Sequence, residues 1–202
     1  MDFDAILFDL GGVLIDIDYH KTITAFESLG MADFKSAYSQ ADQGQLFDDF
    51  ETGQISAQRF INQLLPHLYR NTTPNQVAHA WNAMILGVPM EKITLLSGLK
   101  KTFPLYLLSN TNELHIPVVR REWAKVSPEP MEFFFDEVFL SHEIGMRKPA
   151  QETFRLVCEK INIHPSRLFF VDDSIQHING ALEAGLQAFH LKESLELYQI
   201  FS

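Results

Sequence analysis

One aspartate stands at the end of an apolar run, with two glycines close behind it, in the stretch Ile6-Leu7-Phe8-Asp9-Leu10-Gly11-Gly12. The apolar residues from Ala5 to Phe8 predict a strand that is buried on both faces, and the glycines allow a sharp turn without a Cβ clash. Asp9 is therefore expected at the carboxyl end of a strand, where open α/β sheets bind ligands. Taken alone, the same pattern also fits a turn aspartate that accepts backbone N–H bonds.

Polar side chains also follow three later apolar segments. A predicted strand over 104–109 ends in the polar run Ser109-Asn110-Thr111-Asn112. A predicted strand over 137–141 is followed by Gly145-Met146-Arg147-Lys148-Pro149, and one over 167–171 by Asp172-Asp173-Ser174. Singly, these residues can be helix caps or solvated charges. Because the carboxyl ends of parallel strands share one edge of a sheet, we expect them to converge with Asp9.

The converging groups are those of a site for phosphoryl transfer through an aspartyl phosphate. A carboxylate such as Asp9 can attack phosphorus and divide a difficult hydrolysis into two easier displacements. Mg²⁺ prefers carboxylates, waters and phosphate oxygens, and Asp9 and Asp173 are the carboxylates expected to hold it. Ser109, the Asn110 backbone N–H and Lys148 are expected to bind the phosphoryl oxygens.

The elements that position these groups alternate between helix and strand from Lys92 onward, which predicts an α/β fold with a Rossmann-like parallel sheet. Helices are predicted over 93–101, 151–161 and 175–184, and a last strand over 187–191. From about 19 to 79 the apolar spacing is helical throughout, with Ser56 as a helix N-cap and Pro74 at the first position of another helix. We predict a core of 1–15 and 91–202 and an inserted helical cap of 16–90.

Composition narrows the partners and the location of the chain. A net charge of −10 without a basic patch excludes nucleic acid and anionic membrane surfaces as expected partners. The apolar runs are too short to span a bilayer and the acidic start lacks a secretory signal, so a cytoplasmic location is expected. Cys158 is predicted to be a core residue, and the acidic run Asp48-Asp49-Phe50-Glu51 a solvated helix face. The sequence does not predict the oligomeric state.

The order of motifs resembles the haloacid dehalogenase superfamily of phosphohydrolases over nearly the whole chain. Residues 8–13, 108–111, 147–149 and 171–173 resemble its four motifs, and the insertion resembles the helical cap of one subclass. More narrowly, segments 13–18, 108–112 and 145–149 resemble the bacterial α-glucose-1-phosphate phosphatase branch.

The resemblance implies a role for each matching residue in a Mg²⁺-dependent phosphatase acting on a small phosphorylated metabolite, such as a sugar phosphate. Asp9 is implied as nucleophile and metal ligand, with the Gly11 carbonyl and Asp173 as further ligands. Asp172 is implied to orient a metal-bound water. Ser109 and Asn110 are implied to hold the phosphoryl group, and Lys148 to neutralise it and steady Asp9.

Gly11 departs from the family pattern, because most family phosphatases carry an aspartate there that protonates the leaving oxygen. General acid–base help of this kind is worth about 10² to 10⁴ in rate. Three interpretations follow: Asp16, Asp18 or His20 replaces the acid; the leaving group needs little protonation; or the protein turns over slowly and mainly binds phosphorylated ligands.

Two other functions use similar residues. A 2-haloacid dehalogenase uses the same aspartate to attack carbon without a metal, which leaves Asp173 and Lys148 without a full purpose. A signalling receiver also combines a phosphorylated aspartate, a hydroxyl, a lysine and an acidic pair. However, in receivers the acidic pair comes first in the chain, and a helical insertion has no role there.

Overall fold

The computed structural model of the protein describes residues 2–34, 44–193 and 195–201. Its strands are β1 (Ala5–Phe8), β2 (Asp16–Ile17), β3 (Ile85–Gly87), β4 (Leu105–Ser109), β5 (Glu137–Leu140), β6 (Leu168–Asp172) and β7 (Gln187–His190). Its α-helices are α1 (Tyr19–Ser28), α2 (Gln45–Glu51), α3 (Ala57–Leu64), α4 (Pro74–Asn82), α5 (Met90–Leu99), α6 (His115–Trp123), α7 (Ser141–Ile144), α8 (Gln151–Ile161), α9 (Ile175–Glu183) and α10 (Glu196–Gln199).

Five of these strands form a parallel sheet in the order β5-β4-β1-β6-β7. Strand β1 lies at the centre and all of its residues are buried. Ile6 and Phe8 belong to the apolar cluster on one face of the sheet, whereas Ala5 and Leu7 belong to the cluster on the other. Burial on both faces explains why the strand sequence is continuously apolar rather than alternating. The predicted fold class is therefore confirmed.

The described parts of the segment between β2 and β3 are mainly helical and pack around an aromatic cluster of their own. The rings of Phe26 and Phe34 stack with centroids 4.2 Å apart, as do those of Phe50 and Phe60. Ser56 accepts a bond from the backbone N–H of Arg59 and so caps α3, as predicted. Residues 35–43 of the proposed cap, 16–90, lie outside the described residues.

Two-stranded pairing at the base of the cap was not predicted. Strands β2 and β3 pair antiparallel, with Asp16 opposite Gly87 and Ile17 opposite Ile85, so both connections between cap and core run through one ribbon. These strands are two and three residues long, too short for a readable hydrophobic period. The ribbon lies at both ends of the proposed cap, 16–90.

The acidic run in α2 was predicted to be a solvated helix face, and that prediction is wrong for Glu51. Glu51 is buried, and its carboxylate lies 3.3 Å from the Arg147 guanidinium on the core. Asp48 also pairs with Arg147. The charge of this run did not predict its exposure, because its partner Arg147 is distant in sequence, 99 positions from Asp48.

Cys158 is buried within α8, as predicted. Within the described part of the chain, no helix combines the length and the apolar character needed to cross a membrane.

Candidate active site

The carboxyl ends of the central strands bring the predicted polar residues to one edge of the sheet. Asp9 follows β1 directly, and its neighbours β4 and β6 end in Ser109 and Asp172. The register pairs Phe8 with Leu107 on one side and with Val171 on the other, so the three strands end at a similar height. The site is assembled by strand order rather than by proximity in sequence.

Lys148 lies between two of the predicted carboxylates. Its Nζ atom is 2.5 Å from Asp9 Oδ1 and 2.7 Å from Asp172 Oδ2, and its side chain has no exposed surface. Burial alone would lower the pKa of Lys148, but the charges of Asp172 and Asp9 and their hydrogen bonds raise it above its usual value. The lysine is therefore a permanent cation beside the proposed nucleophile.

Asp172 is held by several partners besides Lys148. It accepts a bond from the Ser174 backbone N–H at 2.7 Å, and the His177 Nδ1 atom lies 2.9 Å from its Oδ2. Burial opposes ionisation of Asp172, yet the Lys148 charge and the His177 hydrogen bond outweigh it and lower its pKa. An aspartate bound in this way has a fixed orientation.

Asp173 is surrounded by like charge. Burial, together with the charges of Asp9 and Asp172, raises the pKa of Asp173 to about 7. Carboxylate oxygens of Asp9, Asp172 and Asp173 all lie within 4.8 Å of one another. Three clustered carboxylates beside one lysine fit a divalent cation, because a cation offsets their repulsion and hard oxygen donors are what Mg²⁺ prefers.

Gly12 is required by the approach of Asp173. The backbone of Gly12 has φ of 74°, and a Cβ added there would lie 2.3 Å from Asp173 Oδ2. Any side chain at this position would push the carboxylate away from Asp9. The second glycine behind Asp9 thus serves both the turn and the carboxylate cluster.

On the other side of Asp9, the Asn110 side chain clamps the backbone of Lys148. Its Nδ2 donates to the Lys148 carbonyl and its Oδ1 accepts from the Lys148 N–H, both at 2.9 Å. The amide group therefore positions the lysine, which leaves the expected phosphoryl contact to the Asn110 backbone N–H. Ser109 is buried beside it.

Next to these groups lies a small cavity between core and cap, which we call the rim cavity. It is lined by Leu10, Gly11, Ile15, Ile17, Tyr19, Met84, Ile85, Ser109, Asn110, Thr111, His115 and Val119. Because its lining comes from the core, the β2–β3 ribbon and α1, the cavity has room only for a small ligand.

The three residues considered as substitutes for an acid at Gly11 are not brought into this site. Asp18 is the N-cap of α1 and accepts a bond from the His20 N–H at 2.9 Å. Asp16 and His20 are exposed. Asp18 thus has the structural role that its place before a helix favours.

Four residues of the site were missed from the sequence. They are Tyr19 in the rim cavity, His177 against Asp172, and the Arg147–Glu51 pair that joins core to cap. The position of His177 in the first turn of α9, shortly after the acidic pair, is a signal that was available. Tyr19 gave none, because it lies between two polar residues at a helix start.

Comparisons with known proteins agree with this geometry. The family model described as haloacid dehalogenase-like hydrolase matches residues 3–185. A D-ribitol-5-phosphate phosphatase of Bacteroides thetaiotaomicron is 36% identical over 190 residues, which cover 91% of this chain and 89% of that protein. A sesquiterpene phosphatase of Aspergillus oryzae is 26% identical over 199 residues, covering 96% of this chain and 92% of that protein. A solved haloacid dehalogenase family enzyme of Bacteroides thetaiotaomicron, an aspartate-to-alanine mutant in complex with magnesium and inorganic phosphate, has a TM-score of 0.93 at 29% identity and covers 99% of each chain.

Proposed function

Because this chain belongs to the haloacid dehalogenase-like hydrolase family, we propose that it is a Mg²⁺-dependent phosphatase that forms an aspartyl phosphate on Asp9. The observation that carries the proposal is the arrangement at the sheet edge. Asp9 stands between a buried lysine and an acidic cluster, with a hydroxyl and a backbone amide at its other side. These are the groups that an in-line displacement at phosphorus needs.

In the proposed reaction, the Asp9 carboxylate attacks phosphorus and the bond from phosphorus to the substrate alcohol breaks. Ser109, the Asn110 N–H and Lys148 bind the phosphoryl oxygens while charge builds on them. Water then attacks the aspartyl phosphate, releasing inorganic phosphate and restoring Asp9. Lys148 holds Asp9 at 2.5 Å and so keeps the nucleophile in one orientation before substrate arrives.

Asp9, the Gly11 carbonyl and Asp173 are the proposed Mg²⁺ ligands, and Asp172 is the proposed partner of a metal-bound water. The carboxylate cluster fits the ion, and the raised pKa of Asp173 reflects the like charge that a cation would offset. Bound magnesium would reduce the repulsion between the carboxylates and an incoming phosphate. The relative solved with magnesium and inorganic phosphate supports this assignment.

We propose a small alditol or sugar phosphate as the substrate class. One relative is named for D-ribitol 5-phosphate, and the rim cavity admits only a small group beside the phosphoryl site. The reported relatives do not single out the α-glucose-1-phosphate phosphatase branch, so the proposal stops at the class. The proposed cap, 16–90, covers the site and excludes bulk water during turnover.

The test is phosphate release from a panel of alditol, sugar and glycerol phosphates, with Mg²⁺ and with EDTA. We expect activity that requires Mg²⁺ and that is lost in Asp9→Asn. The matched control is Asp16→Asn, which makes the same change at an exposed carboxylate and should retain activity. Absence of release from the whole panel by the folded protein would refute the proposal.

Two further measurements on the same protein would point to another function. Chloride release from a 2-haloacid in EDTA would indicate a dehalogenase. A long-lived phosphate on Asp9 without turnover would indicate a receiver-like regulatory protein.

A further inference from the structure

A phosphatase acting on an alditol phosphate must provide a proton for the leaving oxygen. An alkoxide is a poor leaving group unless a donor meets it as the bond to phosphorus breaks. Gly11, two residues after Asp9, has no side chain that could supply this proton. Resting on the function proposed above, we infer that the phenol of Tyr19 is the group that protonates the leaving oxygen.

The other donors around the rim cavity are poorly suited to this task. Ser109 and Thr111 carry aliphatic hydroxyls, which are no more acidic than the leaving alcohol itself. His115 is buried, its Nδ1 atom lies 2.7 Å from Asn82 Oδ1, and burial lowers the pKa of its imidazole to about 3. It therefore carries no acidic proton near neutral pH. The Asn110 amide is occupied by the Lys148 backbone.

Tyr19 combines the right chemistry with a fixed position. It is the first residue of α1, and the N-cap before it, Asp18, fixes how the helix starts. The ring packs against the cap cluster, while the residue lines the rim cavity together with Gly11 and Ser109. A phenol is several pKa units more acidic than an alkyl alcohol, so proton transfer to an alkoxide is downhill.

The surroundings of Tyr19 weaken the phenol as an acid but keep it protonated near neutral pH. Burial, and then the negative charges of Asp173, Asp9 and Glu51, raise the pKa of the phenol well above 10. The neutral, donating form is therefore present at every working pH.

The step balances without another reactant. As an Asp9 oxygen bonds to phosphorus and the bond from phosphorus to the alcohol oxygen breaks, that oxygen takes the phenolic proton and leaves as a neutral alcohol. The phenolate recovers a proton from the water that hydrolyses the aspartyl phosphate. Tyr19 thus returns to its starting form after each turnover.

The test compares Tyr19→Phe with the native chain on phosphate esters of graded leaving-group acidity, from ethyl through trifluoroethyl to p-nitrophenyl phosphate. The quantity measured is kcat/KM, which reports steps up to departure of the leaving group. We expect a loss of about 10²-fold or more for the ethyl ester and a loss within about threefold for the p-nitrophenyl ester, which needs no proton.

Tyr106→Phe is the matched control. It removes the same hydroxyl from a partly buried tyrosine on β4 that does not line the rim cavity, and it should leave the whole series unchanged. Equal losses for all esters in Tyr19→Phe, or no loss for any, would overturn the assignment while leaving the phosphatase proposal intact. If the native chain hydrolyses neither these esters nor the alditol, sugar and glycerol phosphates of the panel above, the proposed function fails and the role of Tyr19 fails with it.

Discussion

His115 should make the protein lose stability in mild acid. The imidazole is buried at the junction of core and cap, stacked on Trp81 with ring centroids 5.1 Å apart and bonded to Asn82. Burial lowers the pKa of His115 to about 3, whereas the imidazole of an unfolded chain titrates at about 6.5. Below pH 6.5 the imidazole therefore binds a proton in the unfolded state but not in the folded state. Stability is fully present above pH 6.5 and falls with pH until the folded imidazole is protonated near pH 3.

The size of the effect follows from these two pKa values. At pH 5.5 protonation favours the unfolded state by about 1.4 kcal/mol, and at pH 7.5 by less than about 0.1 kcal/mol. The assay is urea unfolding of the native chain and of His115→Phe at both pH values. Phenylalanine preserves the stack on Trp81 but cannot titrate, so its loss of stability between pH 7.5 and 5.5 should be about 1.4 kcal/mol smaller.

The same substitution at the exposed His67 is the control for replacing an imidazole by a phenyl ring outside the junction. Identical losses in the native chain and in His115→Phe would refute the reasoning. They would mean that His115 is accessible to protons in the folded state and that the junction opens readily.

Three further changes test contacts between cap, core and C-terminus. Gly53→Ala should lower the free energy of unfolding by about 3 kcal/mol or more, because the added Cβ would lie 2.1 Å from a core carbonyl oxygen. Gly145→Ala is the control: its backbone φ is similar but the space around it is open, so it should lower the free energy of unfolding by about 1 kcal/mol. Arg147→Met should lower the free energy of unfolding by about 3 kcal/mol, because it removes the ion-pair partner of the buried Glu51. Asp48→Asn should lower it by less than about 1 kcal/mol, because that carboxylate is 43% exposed. Lys92→Met should raise stability by about 1 kcal/mol, because the buried ammonium has no hydrogen-bond partner among the described residues.

All three are measured as free energies of unfolding in urea. Equal costs for the two glycine variants would show that the cap moves away from the core without penalty. Equal costs for the two ion-pair variants would place Glu51 in solvent. A destabilised Lys92→Met protein would mean that the ammonium's contact with the Tyr198 ring, 5.2 Å to the centroid, outweighs its desolvation.

The sheet was predictable because its strands are short, apolar throughout and followed by polar residues. Predicted β1 and α8 match the structure residue for residue, and the other core strands differ by one residue at either end. Parallel order then places all the polar ends on one edge, so the meeting of Asp9, Lys148 and Asp172 followed from topology alone. The resemblance to the haloacid dehalogenase superfamily is likewise confirmed.

What the sequence left out depends on contacts between distant segments. Glu51 was expected in solvent because nothing near it in sequence neutralises it, and its partner Arg147 belongs to the core. Tyr19 had no local signature, and it lines the rim cavity as the first residue of α1. Asp18, a candidate acid on sequence grounds, instead accepts a hydrogen bond from the backbone N–H of His20.

The β2–β3 ribbon has a consequence for how such proteins can diversify. Because Asp16 lies opposite Gly87, the two ends of the inserted segment are adjacent. With respect to the core, the insertion is therefore one long loop whose ends are held together. Doubling the length of such a loop costs only about 0.6 kcal/mol in closure entropy. The ribbon is therefore a graft point: a whole insertion can be exchanged for one of another length while the sheet and its reactive edge stay as they are. Chimeras built at this ribbon would separate the evolution of substrate choice from that of the chemistry.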